Sequence, residues 1–144
     1  MATTITLYNG FRKRLGKKEL DLSTDTLKVA LLTSAYTPSQ AHELYADLTG
    51  QVAGGNGYTT GGAALANVAW AASGNTYVLT ADDTVWTASG AGLTARYAVV
   101  YDDTSAGKVL LAYVLLDDTP ANVSVTAGNT LTLDWAATGI FVLG

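Results

Sequence analysis

The sequence predicts a mainly β fold, an antiparallel β-sandwich or jelly-roll-like domain with one or two short helices near the N-terminus. Beyond residue 62, most segments are short, rich in β-branched or aromatic residues and separated by regularly spaced turns, which is typical of sandwiches and small barrels. Residues 130–135 alternate apolar and polar side chains, as a strand with one buried face does. No Pro-rich or charged linker divides the 144 residues, so residues 1–144 are expected to form a single β domain.

Residues 1–18 combine a helical period with a strong positive charge. Leu7, Phe11 and Leu15 recur every four residues, as the apolar face of an amphipathic helix does. Five of the eight basic residues lie in the same segment: Arg12, Lys13, Arg14, Lys17 and Lys18. The segment has a formal charge of +5, whereas the rest of the chain, with three basic and twelve acidic side chains, has −9. One interpretation is a basic amphipathic segment that anchors the domain to an acidic partner; the other is a solvated helix face.

Three further segments precede the run of strands. Residues 26–34 are rich in Leu, Val and Thr and predict a strand that ends before Pro38, because the residue before a proline favours an extended conformation. Residues 40–48 predict a second short helix. Residues 50–62 contain six glycines and predict a long loop, and loops of this length are usually functional or mobile. Tyr58 is the candidate contact residue in that loop.

Eight short strands are predicted in the remainder of the chain. Each is bounded by turn-forming residues such as Gly, Asn, Asp and Ser, whose side chains or backbone freedom favour turns. The strands are expected at residues 64–71, 76–80, 84–87, 93–101, 109–116, 123–125, 130–135 and 140–143.

The tripeptide Asp-Asp-Thr occurs three times, at residues 82–84, 102–104 and 117–119. Asp and Thr side chains accept hydrogen bonds from nearby backbone amides, so repeated turn chemistry is the simpler explanation. Alternatively, two of the pairs converge at one end of the domain and bind a hard cation such as calcium, which prefers oxygen ligands. That hypothesis requires four side chains to lie close together: Asp102, Asp103, Asp117 and Asp118.

The residue inventory favours binding over catalysis. The chain contains no cysteine and a single histidine, His42, which excludes thiol chemistry and zinc-finger sites. No Gly-x-Ser-x-Gly segment accompanies the histidine, so a Ser-His-Asp hydrolase is not indicated. We therefore expect a protein that is not an enzyme and needs no cofactor. A carboxylate-dependent hydrolase of the cell wall is the enzymatic alternative.

Neither a membrane nor a nucleic acid is an expected partner. Each apolar stretch is interrupted well before the length of about 20 residues that a membrane-spanning helix needs. The basic cluster contains no aromatic side chain for base stacking. The acidic remainder of the chain would also oppose binding to phosphates.

Short stretches over nearly the whole chain resemble a known family. They include residues 25–34, the Gly-Tyr-Thr tripeptide at residues 57–59, residues 94–101, and Trp135 followed by residues 138–141. In these stretches the chain resembles small virion structural proteins of tailed bacteriophages. Members of that family look like capsid decoration or other minor structural proteins. The resemblance transfers no catalytic residue.

The resemblance implies a capsid decoration (cement) protein that binds the major capsid protein and copies of itself. Such a protein stabilises the head, often as a homotrimer at a capsid symmetry axis, and is made in the host cytoplasm. The alternative is a tail, neck or fibre component that contacts another tail protein or a host glycan, with Tyr58 as its candidate residue. The expected partner-binding residues are Leu7, Phe11, Arg12, Lys13, Arg14, Leu15, Lys17, Lys18 and Tyr58.

Overall fold

A computed structural model describes residues 5–117, 122–135 and 139–143. Within these ranges the chain is mainly β, and all strand pairs are antiparallel. The prediction of a mainly β, sandwich-like fold with a short helix near the N-terminus is confirmed. No helix in the described ranges is long and apolar enough to cross a membrane.

The described residues form one α-helix, one 3-10 turn and twelve strands. The helix α1 covers Asn9–Gly16 and the 3-10 turn covers Tyr45–Asp47. The strands are β1 (Thr6–Leu7), β2 (Leu27–Leu32), β3 (Ala63–Ala64), β4 (Ala69–Ser73), β5 (Thr76–Thr80), β6 (Thr84–Thr87), β7 (Leu93–Ala95), β8 (Tyr97–Asp102), β9 (Val109–Leu115), β10 (Val123–Val125), β11 (Thr130–Leu133) and β12 (Phe141–Leu143).

The largest sheet has five strands in the order β1–β9–β8–β2–β3. Its strands β2 and β8 are nearly continuous apolar runs and are buried along almost their whole length, as expected for strands covered on both faces. Successive residues of a strand point to opposite faces. Val29 and Ala30 therefore belong to two separate clusters of buried side chains.

The main core lies on the Val29 side of this sheet. Three smaller sheets contribute the side chains opposite: β12–β5–β4, β11–β6 and β10–β7. Helix α1 packs into the same core, where the ring centroid of Phe11 lies 5.3 Å from that of Phe141. Each large apolar side chain buried here stabilises the fold by roughly 1.5–3 kcal/mol. The result is a sandwich-like arrangement with α1 at its margin.

A second, smaller core covers the Ala30 side of the sheet. The segment between β2 and β3 lies over it, with Tyr45 and Leu48 partly buried. Tyrosine supplies much of its volume. The fully or nearly fully buried members are Tyr8, Ala30, Leu32, Tyr36, Val99, Tyr101 and Leu110.

The covering segment contains less helix than expected. The helix predicted over residues 40–48 is reduced to the 3-10 turn. The reason is local, because the Asp47 carboxylate accepts the backbone N–H groups of Glu43 and Leu44 at 2.9 and 3.0 Å. A side chain that binds its own neighbouring amides in this way favours a turn over a continuing helix.

Two predicted strands are each divided in two. The strand predicted over residues 64–71 separates into β3 and β4, and the one over residues 93–101 into β7 and β8. In the second case the break falls at Arg96, whose backbone N–H donates to the Leu32 carbonyl at 2.8 Å. The chain thereby passes from one sheet to another without a loop.

The glycine-rich loop packs against the body of the domain. A Cβ atom at Gly57 would collide with the carbonyl oxygen of Thr87, and one at Gly62 would collide with that of Val29. Both glycines also have positive φ, 96° and 85°, a conformation that other residues rarely adopt. The loop is therefore held close to the strands at two points.

We expect Gly57→Ala to lower the free energy of unfolding by roughly 2 kcal/mol or more relative to its control, because the new methyl group collides with the Thr87 carbonyl. The matched control is Gly55→Ala. Gly55 also has a positive φ, 114°, but has open space at its Cβ position. Urea denaturation of both variants isolates the steric contact, and equal losses would contradict the close packing at Thr87.

Candidate functional site

Helix α1 uses its apolar face for the protein's own core. Phe11 is completely buried, and Leu7 and Leu15 are half-buried against the main core. The expectation that Phe11 binds a partner is therefore corrected, because its ring is not accessible in the folded domain. Leu7 and Leu15 offer a partner only part of their surface. Phe11 and Leu15 lie on α1, as the helical period predicts, whereas Leu7 lies on β1. All three side chains face the protein's own core.

The basic side of α1 and the residues after it remain at the surface. We call Arg12, Lys13, Arg14, Lys17 and Lys18 the basic patch; all are exposed except Arg14, which is half-buried. Basic side chains near the end of a helix are favoured by the helix dipole. The helix is fixed to the core by Phe11, so the patch is presented on a well-packed element.

Both glutamates of the chain lie against the basic patch. Glu43 accepts from Lys13 at 2.7 Å and from Arg14 at 3.3 Å, and these two hydrogen bonds lower the pKa of its carboxyl group. Glu19 lies 3.4 Å from Arg14 and 3.6 Å from Lys17. The five positive charges are thus reduced to a formal +3. Ion pairs between exposed side chains contribute little to stability, because water and salt screen them.

Two members of the basic patch differ from the others. Arg12 and Lys18 are exposed and form no ion pair within the ranges that the structure describes. Their charges are directed to solvent. They are consequently the two side chains of the patch best suited to meet an acidic partner.

Tyr58 lies in the main core and is only 3% exposed. Its hydroxyl accepts the backbone N–H of Leu31 at 3.1 Å, and its ring lies 6.3 Å from that of Trp86. The expectation that Tyr58 contacts a partner or a glycan is therefore corrected. The flanking glycines allow the loop to approach the strands closely, which carries the tyrosine inward.

The three described aspartates of the calcium hypothesis, Asp102, Asp103 and Asp117, do not come together at one site. Asp102 pairs with Val109 at one end of the β8–β9 hairpin, while Asp117 follows the other end of β9. Six strand residues separate these ends by about 20 Å. Asp118 lies outside the described residues. In the described ranges, no group of three acidic or histidine side chains is placed to hold a metal ion.

Asp103 and Asp102 have separate structural roles. The Asp103 carboxylate lies 3.2 Å from Lys108 and 3.5 Å from Lys28. Asp102 is completely buried and accepts the backbone N–H groups of Thr104 and Ser105 at 3.0 and 3.1 Å. Repeated turn chemistry, the simpler explanation of the tripeptide, accounts for the Asp102 contacts, whereas the Asp103 carboxylate forms ion pairs with two lysines.

One oxygen of Asp102 is unusual. Its Oδ2 has no hydrogen-bond donor among the described residues, and the neighbouring carboxyl group is that of Asp25. Burial, followed by the interaction with the neighbouring Asp25 carboxyl group, raises the pKa of Asp102 to about 7. Two carboxyl groups that share a site favour holding one proton between them.

His42 belongs to a chain of hydrogen bonds among buried phenols. Its Nδ1 lies 2.9 Å from the Tyr36 hydroxyl, which lies 2.8 Å from the Tyr8 hydroxyl. Burial raises the pKa of both tyrosines, so they remain protonated and able to donate. The contacts give His42 a structural role in the smaller core.

A further exposed surface lies on the β12–β5–β4 sheet and was not among the predicted binding residues. Tyr77 and Val142 are 48% and 47% exposed, and they project from opposite faces of the sheet because Val142 pairs with Val78, the residue after Tyr77. The sequence signal for this surface is an absence of charge, because residues 48–81 contain no charged side chain. We call β4, β5 and β12 the charge-free sheet.

We expect Asp102→Asn to remove a pH dependence of stability. The native carboxyl has a raised pKa, so the folded state holds a proton that the unfolded state loses above about pH 4, and stability falls from about pH 4 to about pH 7. Asparagine keeps the Oδ1 acceptor and can donate to Asp25. The free energy of unfolding should become nearly independent of pH in this range. At pH 8 it should exceed that of the original protein by about 4 kcal/mol, because one proton held over about three pH units contributes about 1.4 kcal/mol per unit.

The control for this measurement is Asp134→Asn, which changes an exposed carboxylate on another part of the surface. It should leave the pH profile unchanged. A profile for Asp102→Asn that keeps its original slope would show that another group takes up the proton.

Comparison with known proteins gives no family for this chain. No protein-family model, curated protein or solved structure matches it. The features that bear on its function are its exposed surfaces and the resemblance of short segments to virion structural proteins.

Proposed function

We propose that the protein is a bacteriophage virion structural protein, a capsid decoration (cement) protein that binds the major capsid protein through the basic patch. The observation that carries this proposal is the exposed positive charge on a chain whose net charge is −4. Binding, not catalysis, is the proposed activity. The resemblance to virion structural proteins supports a role in the virion, and the charge distribution supports the basic patch as the binding surface.

The basic patch has the properties of an electrostatic docking site. Oppositely charged surfaces steer association and select the orientation of encounter. Arg12 and Lys18 need no rearrangement to meet carboxylates of a shell. Lys13 and Lys17 can exchange their exposed internal pairs for partner carboxylates at little cost, because such pairs contribute little to stability.

The proposed location is the capsid surface, after synthesis in the host cytoplasm. On the particle, we propose a homotrimer in which the three-fold symmetry of the shell, and not contact between free copies in solution, arranges three copies around an axis. The alternative as a tail, neck or fibre component uses the loop over residues 50–62, with Tyr58 as its aromatic residue, for contact with a glycan or a tail protein. Because Tyr58 is buried, the basic patch supports the head location better.

Replacing both Arg12 and Lys18 with serine should weaken binding to shells by roughly tenfold or more, because two unpaired cations of the docking surface are lost. The measurement is occupancy on purified capsids of the encoding phage that were assembled without the protein. The original protein should also bind less tightly as the salt concentration rises.

The matched control is Ala91→Glu with Ala127→Glu, which makes the same change of −2 in net charge at two exposed turns. It should bind nearly as well as the original protein. Equal weakening by both double variants would mean that net charge, and not the basic patch, governs binding.

Electron microscopy of labelled virions separates the head from the tail. A decoration protein should appear in many copies over the head. A few copies confined to the tail or neck would overturn the proposed location and leave the alternative.

A further inference from the structure

The β4–β5 hairpin presents an open edge of the charge-free sheet. Its strands are joined by the two-residue turn Gly74-Asn75, and β12 pairs on the far side of β5. Strand β4 is therefore the outer strand. Four of its five residues are exposed, the exception being the half-buried Trp70.

The ladder register shows which backbone groups of β4 point outward. Ser73 and Thr76 flank the two-residue turn and face each other, and such a pair is hydrogen-bonded in a tight hairpin. Hydrogen-bonded and non-hydrogen-bonded pairs then alternate along the strands. The N–H and C=O groups of Trp70 and Ala72 consequently point away from β5, toward the open edge.

This edge lacks the features that usually prevent strand pairing. Natural edge strands are protected by lysine, proline, bulges or very short length. Residues 69–73 contain no charged residue and no proline, and their pairing with β5 is regular over five residues. Among the edge strands in the described ranges, β4 is the longest.

Apolar side chains accompany the open edge. The ring of Trp70 lies 5.4 Å from that of Tyr77. The two residues lie two rows apart in the β4–β5 ladder, so their side chains project from the same face of the sheet. Tyr77 is one of three large exposed hydrophobic residues of the described ranges; the other two, Val142 on β12 and Val85 on β6, lie away from this edge.

We propose that β4 pairs antiparallel with β4 of a second copy of this chain, around a two-fold axis at Ala71. Trp70 of each copy then lies opposite Ala72 of the other, and the outward N–H and C=O groups of both strands find partners. Two three-stranded sheets become one sheet of six strands. A two-fold contact of this kind uses the same surface twice.

Charge favours a second copy as the occupant. Every copy carries a net charge of −4, so copies repel each other over most of their surface. The hairpin lies within the uncharged residues 48–81, where two copies can meet without opposing like charges. The same lack of charge gives an acidic or basic partner nothing to recognise. This inference does not depend on the proposed virion function.

The test uses a pair of charge variants, Ala71→Lys and Ala71→Glu, in the full chain. Ala71 is exposed, so both side chains fit the single molecule, but each would face an identical charge across the two-fold axis. Sedimentation equilibrium should give a two-chain mass for the original protein. The dissociation constant of each variant alone should be at least about fivefold higher than that of the original protein. An equal mixture of the two variants should recover the two-chain mass.

Two additional variants complete the test. Ala72→Pro removes an outward N–H group and leaves the β5 ladder intact, so it should weaken association about 30-fold, with circular dichroism confirming the fold. Val85→Lys changes an exposed apolar residue on another sheet and should not alter the mass. A single-chain or three-chain mass for the original protein, or no recovery in the mixture, would overturn the proposed pairing.

Discussion

Burial of both faces of β2 and β8 is the constraint on which the rest of the structure depends. Strands with so few polar side chains must be covered on two sides, because each Å² of apolar surface left in water costs roughly 25 cal/mol. The small sheets and α1 cover one face, and the segment between β2 and β3 covers the other. Since α1 serves this purpose, its apolar side is committed to the core. Only its basic side remains for a partner.

The smaller core on the Ala30 side of the sheet is built largely from tyrosine, and each tyrosine brings a hydroxyl group into it. A tyrosine ring fills a core, but its hydroxyl requires a hydrogen-bond partner. The Tyr101 hydroxyl donates to the Gly61 carbonyl, and the Tyr45 hydroxyl bonds with the Gln51 side chain. The first contact joins the glycine-rich loop to β8 of the largest sheet, and the second joins it to the 3-10 turn, so polar contacts as well as packing hold the loop in place. This explains why a segment with six glycines lies against the body of the domain.

The sequence predicted the fold class well, because strand alternation and turn residues are local signals. Thr130–Leu133, for example, alternates exposed and buried residues as expected. The candidate site was predicted less well. A helical period at Phe11 shows that one face is buried, but it does not distinguish the protein's own core from a partner's surface. The shared ion-pair partner of Lys13 and Arg14 could not be predicted from neighbouring residues, because Glu43 lies about 30 residues further along the chain.

The two proposed surfaces rest on different physical interactions. Attraction between the basic patch and an acidic shell is screened by salt over about 8 Å at physiological ionic strength. Pairing of β4 strands depends on backbone hydrogen bonds and apolar contact, which salt does not screen, and salt also reduces the repulsion between copies that each carry −4. Raising the ionic strength should therefore weaken shell binding and leave self-association unchanged or stronger. Two surfaces that respond in opposite directions can be assigned separately, even though they belong to one small domain.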